Sequence, residues 1–277
     1  MHRLILSLVL VSLTLLALFG TTAEAETLEQ HFGDYEGCFL VAELDGTPLL
    51  RWGACSERYP PCSTFKIPNS LIGLETGAID LDTVLPWDGK KKYLRSWEQD
   101  HDLASAIRYS VVWYYQELAR RVGEEKMQDY VDRFNYGNRD ISGGLTTFWL
   151  SSSIKISPDE QIRFLSKLYT GELPVSETSV ETVKKILFFK GSDKSGASAG
   201  QPPWSLSAKT GSCRLEGQDT LGWWVGNWTQ GDQQRLFATR ILGKGADGPT
   251  ARKLTLRMLA DPEVASKIGA QALDLEP

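Results

Sequence analysis

The chain has 277 residues, 42% of them hydrophobic, and a formal net charge of −5. That apolar fraction is enough for a sizeable core, and with no basic patch to grip a phosphate backbone, nucleic acid is excluded as a partner. No Pro/Gly/Ser-rich linker, internal repeat or low-complexity tract divides the chain, so one folded domain is expected.

The chain opens with His2-Arg3, an apolar run from Leu4 to Gly20, and the small-residue pattern Ala23-Glu24-Ala25. Residues 1–25 therefore read as a secretory signal peptide: the run is short for a membrane span and its downstream flank is small and polar. Residues 26–277, about 250 in number, form the expected domain. It should be soluble in the periplasm, away from the membrane once the leader is cleaved, as a monomer or homodimer.

Gly37 to Glu43 and Leu49 to Ala54, joined through Asp45-Gly46, form a hairpin pattern. A Pro60-Pro61 approach leads to a helix starting near Cys62, running to about Glu75 and closed by Gly77, with Pro68 straining or kinking its start. From Asp102 to Val122 the residues Leu103, Ile107, Tyr114 and Leu118 recur at helical spacing, and Gly123 closes the run. Ser110 falls in that apolar stripe and needs a hydrogen-bond partner there. Glu124 to Phe134 reads as a helix delivering Tyr136-Gly137-Asn138 into a turn. Ser157-Pro158-Asp159-Glu160 is a capping box opening a helix that ends at Gly171. A helix over Glu177 to Phe188 follows, then strands at Ser205–Ser212, Leu221–Thr229 and Gln234–Leu242, and a helix from Pro249 to Met258. Strands at both ends with helices between them predict an α+β fold: an antiparallel sheet flanked by helices, with an inserted helical region.

Cys38, Cys55, Cys62 and Cys213 all follow the leader, and in an exported chain they permit one or two disulfides whose pairing the sequence does not rank. Cys62, abutting Ser63, is expected to be a buried free thiol. No metal-ligand spacing is present, so no metal is expected.

Ser63-Thr64-Phe65-Lys66 carries the chemistry. If a helix begins near Cys62, Ser63 and Lys66 lie at i and i+3 on one face. A serine hydroxyl needs a neighbouring base to act as a nucleophile. Lys66 qualifies only if deprotonated or modified, since an ordinary lysine titrates at about 10.4. The spacing alone is weak, because Ser152-Ser153-Ile154-Lys155 repeats it. Three further motifs follow in order: Ser110-Val111-Val112, Tyr136-Gly137-Asn138 with Trp149 after it, and Lys209-Thr210-Gly211.

This set and order resemble the class D, or OXA-type, serine β-lactamases within the penicillin-recognising serine enzymes; S-x-x-K and K-T-G are shared with the class A enzymes and penicillin-binding proteins. The resemblance implies a β-lactamase/transpeptidase-like fold with the site between sheet and helices, and hydrolysis of penicillins that confers β-lactam resistance. Oxacillin, cephalosporins or carbapenems are further substrates whose acceptance depends on the Trp87 to Trp97 loop and the Cys213 to Thr220 connection. Ser63 is then the nucleophile. Lys66 is the lysine that carbon dioxide or bicarbonate converts to N6-carboxylysine, the general base for both half-reactions and the only cofactor requirement. Burial favours the neutral amine that carboxylation needs.

By the same resemblance Ser110 passes a proton to the departing nitrogen, and Lys209 and Thr210 bind the substrate carboxylate from an edge strand. Gly211 is where a ligand approaches the backbone. Ser212 supplies a backbone N–H that joins that of Ser63 as the oxyanion hole, its own hydroxyl being immaterial. Arg252 fixes the substrate carboxylate, with Arg257 the competing candidate. Val112 encloses the pocket, Tyr136 is pocket wall, Asn138 is a structural turn, and the Trp149 indole N–H steadies the carbamate. The segment Ala238-Thr239-Arg240 departs from the more apolar or acidic pattern usual in the family and puts local substrate contacts in doubt.

A histidine triad is set aside: after the leader only His31 and His101 remain, each in polar surroundings, and no G-x-S-x-G is present. The alternatives are a penicillin-binding D,D-peptidase, which usually carries S-x-N, and a β-lactam sensor acylated without turnover, normally fused to membrane helices.

Overall fold

The computed structural model describes residues 28–191, 204–215 and 220–274. Residues 1–25, expected to be a leader, and residues 216–219 of the connection after Cys213 lie outside the described residues. Six strands form one antiparallel sheet: β1 (Glu36–Glu43), β2 (Pro48–Gly53), β3 (Phe188–Gly191), β4 (Trp204–Arg214), β5 (Thr220–Gln230) and β6 (Gln233–Gly243), in the order β2-β1-β6-β5-β4-β3. Between β2 and β3 come helices α1 (Lys66–Glu75), α2 (Leu103–Arg108), α3 (Val112–Val122), α4 (Glu124–Arg133), α5 (Pro158–Thr170) and α6 (Glu177–Ile186). After β6 come α7 (Gly248–Leu259) and α8 (Pro262–Lys267), the last unanticipated by the sequence reading.

The sheet is buried on both faces, and strand periodicity divides its residues between two cores. Cys38, Leu40 and Ala42 of β1 and Leu221, Trp223 and Val225 of β5 pack toward the inserted helices. Phe39, Val41, Trp224 and Trp228 pack toward α7 and α8. Burial on both faces is why β5 reads as an unbroken apolar run where a half-solvated strand would alternate. Each buried Leu, Ile or Phe in these layers contributes about 1.5–3 kcal/mol relative to exposure. Among the described helices none is long and apolar enough to cross a membrane.

Four expectations are corrected. The helix read to Phe188 stops at Ile186, and Phe188 and Lys190 pair with Ser207 and Leu206 as edge strand β3. Phe188 and Phe189 are partly exposed there, so the strand had no buried alternation to announce it. Second, the α-helix starts at Lys66, not near Cys62. A 3-10 turn, Cys62–Phe65, precedes α1, and Pro68 is its third residue, inside the first turn where an N–H has no intrahelical partner.

Third, the run from Asp102 to Val122 is two helices. Ser110 N–H bonds Ile107 O at 3.2 Å and Val111 N–H bonds Ala106 O at 2.9 Å. This is the paired closure of a Schellman motif, with Ser110 in the left-handed position (φ 57°) that glycine usually fills. No glycine marked the break. Fourth, Cys62 is not a free thiol: Cys38 bonds Cys55, and Cys62 bonds Cys213, whose Cα lies 5.8 Å away, so that β4 is tied to the 3-10 turn.

Candidate active site

The turn Cys62–Phe65 points straight into α1, so Ser63 and Lys66 fall on one side of the junction. Lys66 Nζ lies 2.7 Å from Ser63 Oγ. Ser63 is half-buried while Lys66 is fully enclosed, with Nζ 5.3 Å from the centroid of the Tyr115 ring. Desolvation holds the Lys66 amine well below its ordinary range, and the nearby Lys209 charge lowers it further. A neutral amine against a serine hydroxyl can accept its proton. Ser70 braces this turn, its Oγ bonding both Lys66 O and Tyr115 OH.

Lys209 joins the second serine. Its Nζ donates to Ser110 Oγ at 3.1 Å and to Thr210 O at 3.0 Å. The side chain is 5% exposed, and burial lowers its pKa to about 7. Neither Lys66 nor Lys209 has a carboxylate partner among the described residues. The strained Ser110 backbone is what turns its hydroxyl from the helical stripe toward this ammonium. The indole N–H of Trp97 donates to Tyr109 O at 2.9 Å, bracing the same junction.

β4 is not the sheet's outermost strand, since β3 pairs with Ser205 to Ser207. The Ala208 N–H still donates to Leu187 O at 2.8 Å; beyond it that side has no backbone partner among the described residues, so the Lys209 end is a local edge. A cleft of about 680 Å³ opens there, with Ile107, Leu187, Phe189, Lys209, Thr210 and Arg252 in its wall; it reaches the catalytic cluster through Lys209, while Ser63, Lys66 and Ser110 lie outside that wall. Arg252 is half-buried with its guanidinium 5.2 Å from the Phe189 ring centroid. Arg257 is exposed and outside the cleft wall; five residues along a helix turn it roughly 140° away. The cleft wall includes Arg108 and Lys185 as well, and no acidic side chain among the described residues.

Gly211 is required by the packing of the chain itself. A Cβ there would sit 2.8 Å from Pro61 O and 3.3 Å from Thr64 N, so only glycine lets β4 close on the nucleophile's turn. Trp223 Nε1 donates to Pro60 O at 3.0 Å across the same seam. The Ser212 hydroxyl is not idle: it accepts from Gly248 N at 2.8 Å and so anchors the start of α7, the helix that carries Arg252.

Tyr136 is core, not cleft wall. It is fully buried, its ring 5.5 Å from Phe65 edge-on, its hydroxyl accepting from Gln161 Nε2, which also donates to Thr64 Oγ1 at 2.9 Å. An aromatic ring with one polar tip suits such a buried site as well as a wall, so sequence could not separate the two. Asn138 is a structural turn: Nδ2 donates to Ser153 O at 2.9 Å, and Oδ1 accepts from Lys155 N at 2.8 Å. Gly137 has φ 57°, and a Cβ would collide with Lys155 O. Val112 opens α3 half-buried and outside the described cleft wall, whereas Val111 is fully buried.

Trp149 is fully enclosed, stacked on Phe65 at 5.8 Å, and its Nε1 has no hydrogen-bond partner. Asn69, one turn along α1 from Lys66, is likewise fully buried with neither amide atom partnered. Buried donors without acceptors are uncommon and costly, about 1–3 kcal/mol each. Sequence reasoning missed Asn69, Tyr115, Gln161 and the Cys62–Cys213 bond; none belongs to a short motif that names its role.

Arg240 makes no contact with the cleft. It is 1% exposed on β6, donates Nη2 to Ala54 O at 3.2 Å, and stacks over the Tyr59 ring. Its neighbour Thr239 faces the other side of the sheet, where its Oγ1 pairs with Thr255 Oγ1 of α7 at 2.6 Å, so both polar residues of the unusual segment are held internally. His31 pairs with Asp261, and His101 bonds Ser105 and Ser96, both in contacts of their own.

A family model described as the penicillin binding protein transpeptidase domain matches residues 15–260. The probable β-lactamase YbxI of Bacillus subtilis (strain 168) is 38% identical over 235 residues, 84% of this chain and 83% of that one. The β-lactamase OXA-48 of Klebsiella pneumoniae is 41% identical over 211 residues, 76% of this chain and 74% of its own. Among solved structures, the class D β-lactamase BAT-2 aligns with a TM-score of 0.74 at 34% identity, over 90% of this chain and 97% of that one. The regulatory protein BlaR1 of Bacillus licheniformis is 35% identical over 87% of this chain but only 39% of its own length.

Proposed function

The chain belongs to the penicillin-binding transpeptidase family and, within it, to the class D β-lactamases, and from that premise we propose that it hydrolyses the amide of β-lactam antibiotics through a Ser63 acyl-enzyme. The observation that carries the site assignment is the 2.7 Å contact between Ser63 Oγ and a fully buried Lys66. Ser63 Oγ adds to the lactam carbonyl carbon, its proton leaving toward the Lys66 end of that contact. The backbone N–H groups of Ser63 and Ser212 take the developing oxyanion. The C–N bond then breaks, and the departing nitrogen takes a proton from Ser110, which Lys209 can resupply. Water adds to the ester, the acyl C–O bond breaks, and Ser63 regains its proton.

Carboxylation of Lys66 fits the residues around it: an enclosed amine held in its neutral form, no competing carboxylate among the described residues, and orphaned donors on Trp149 and Asn69. Bound there, the carbamate supplies an anionic base beside Ser63 for both half-reactions. Arg252, Lys209 and Thr210 bind the substrate carboxylate, in keeping with a cleft wall whose described charges are all positive. The reading extends to export and removal of residues 1–25, with the mature enzyme periplasmic. Mass analysis of the exported protein should find a chain starting at Glu26.

Purified mature protein given a chromogenic cephalosporin and benzylpenicillin should turn over many equivalents, faster with added bicarbonate. A single equivalent of stable acyl adduct on Ser63 would instead identify a sensor or a D,D-peptidase.

A further inference from the structure

We propose that the Cys62–Cys213 disulfide is a positioning element of the oxyanion hole, setting the relative placement of its two N–H donors. This rests on the acyl-transfer reading above. The bond joins the residue immediately before Ser63 to the residue immediately after Ser212. Each donor is thus one peptide away from a half-cystine, and no other covalent link among the described residues crosses this seam. The two donors belong to different parts of the fold. Ser63 opens the inserted helical region, Ser212 lies near the end of β4, and 151 residues separate the two cysteines.

The surroundings show why a strap matters here. Past Ala208, whose N–H bonds Leu187 O, β4 has no backbone partner on its outer side among the described residues, so its Ser212 end is held by β5 alone within the sheet. The remaining ties across the seam are noncovalent: the close approach of Gly211 to Pro61, and the Trp223–Pro60 hydrogen bond. Cys62 itself is a fully buried residue at φ 52°, a conformation that residues with a Cβ seldom adopt and that fixes the direction of the next peptide, that of Ser63. An oxyanion hole is sensitive to small shifts, since its donors must converge on one oxygen, and losing one donor slows acyl transfer by about 100- to 1,000-fold. The other disulfide, Cys38–Cys55, fastens β1 to the segment after β2 and touches neither donor.

The test compares the mature double variant Cys62→Ala/Cys213→Ala with Cys38→Ala/Cys55→Ala and the wild type. Folding is checked by circular dichroism, and the active fraction by Ser63 acylation. Per folded molecule, loss of Cys62–Cys213 should lower the acylation rate constant about 100-fold, with little change in KM. It should weaken a boronate transition-state analogue by a similar factor. Loss of Cys38–Cys55 should lower stability only. Should the first variant not fold, the wild type is reduced with dithiothreitol under native conditions while activity and free thiols are followed together. Activity should then fall in step with the thiols of Cys62 and Cys213 and return on reoxidation. Wild-type acylation and boronate affinity in folded variant or reduced enzyme would overturn the proposal. So would equal catalytic losses in both variants. A wild type that never acylates would instead remove the functional reading beneath it.

Discussion

Trp149→Phe isolates the indole N–H, and in the enzyme without carbon dioxide two effects oppose each other. The smaller ring gives up packing against Phe65 and Phe148, whose centroids lie 5.8 and 5.0 Å away. Trimming a buried side chain by part of its bulk costs about 1–3 kcal/mol. The change also removes a buried donor with no acceptor, relieving about 1–3 kcal/mol. The two nearly cancel, so the thermal midpoint of carbon dioxide-stripped protein should move by only a few degrees. With the carbamate formed, the variant lacks a hydrogen bond to a charged acceptor, worth about 1.5–3 kcal/mol. The bicarbonate concentration giving half-maximal activity should therefore rise about 10- to 150-fold. The assay is penicillin hydrolysis against bicarbonate, starting from stripped wild type and variant. An unchanged half-saturation point in a folded variant would refute the reasoning.

Arg252→Ala should raise KM for benzylpenicillin about 10- to 100-fold, the loss of a charge-assisted contact, with kcat little altered; Arg257→Ala should leave both within about twofold, as for other surface changes, and the reverse pattern would reassign the carboxylate. Ser110→Ala should lower acylation about 100- to 10,000-fold while keeping the fold, as expected for loss of a proton-transfer group; a normal acylation burst would remove Ser110 from the relay. In free enzyme stripped of carbon dioxide Lys209 loses its proton near pH 7; a Lys66 carbamate anion favours the ammonium, so the alkaline limb of kcat/KM should lie above that value and move down as bicarbonate is withdrawn. The bound substrate carboxylate favours the ammonium, so the corresponding limb of kcat should lie higher. For stability, Lys209 and Lys66 titrate lower in the fold than in the unfolded chain, which therefore binds more protons. Urea midpoints should rise with pH through the window from about 7 to about 10, and less so in Lys209→Met; equal slopes would show that burial does not depress this lysine.

The sequence carried the strands and most helices because their burial has a period. β5 carries the apolar run Leu221–Gly226 and β6 the apolar pairs Leu236-Phe237 and Ile241-Leu242, and the Ser157 capping box satisfies two backbone N–H groups by local chemistry alone. The misread elements lack such signals. β3 is an exposed edge, and the Ser110 break uses a serine where the backbone favours glycine. Within the site, the short motifs located Ser63, Lys66, Ser110 and Lys209, because each hydrogen bond among them links motif residues. Spacing could not show that Tyr136 braces Thr64 through Gln161, that Gly211 yields to Pro61, or that Cys62 and Cys213 join. Those contacts span distant parts of the chain and depend on how the helical region seats against β4.

The most direct measurement is carbon-13 NMR of the active enzyme equilibrated with labelled bicarbonate. A protein-bound carbamate resonance should appear in the wild type, be absent from Lys66→Ala, and in Trp149→Phe emerge only at higher bicarbonate. Fully active wild type without that resonance would contradict the assignment of Lys66 as the carboxylated base beside Ser63.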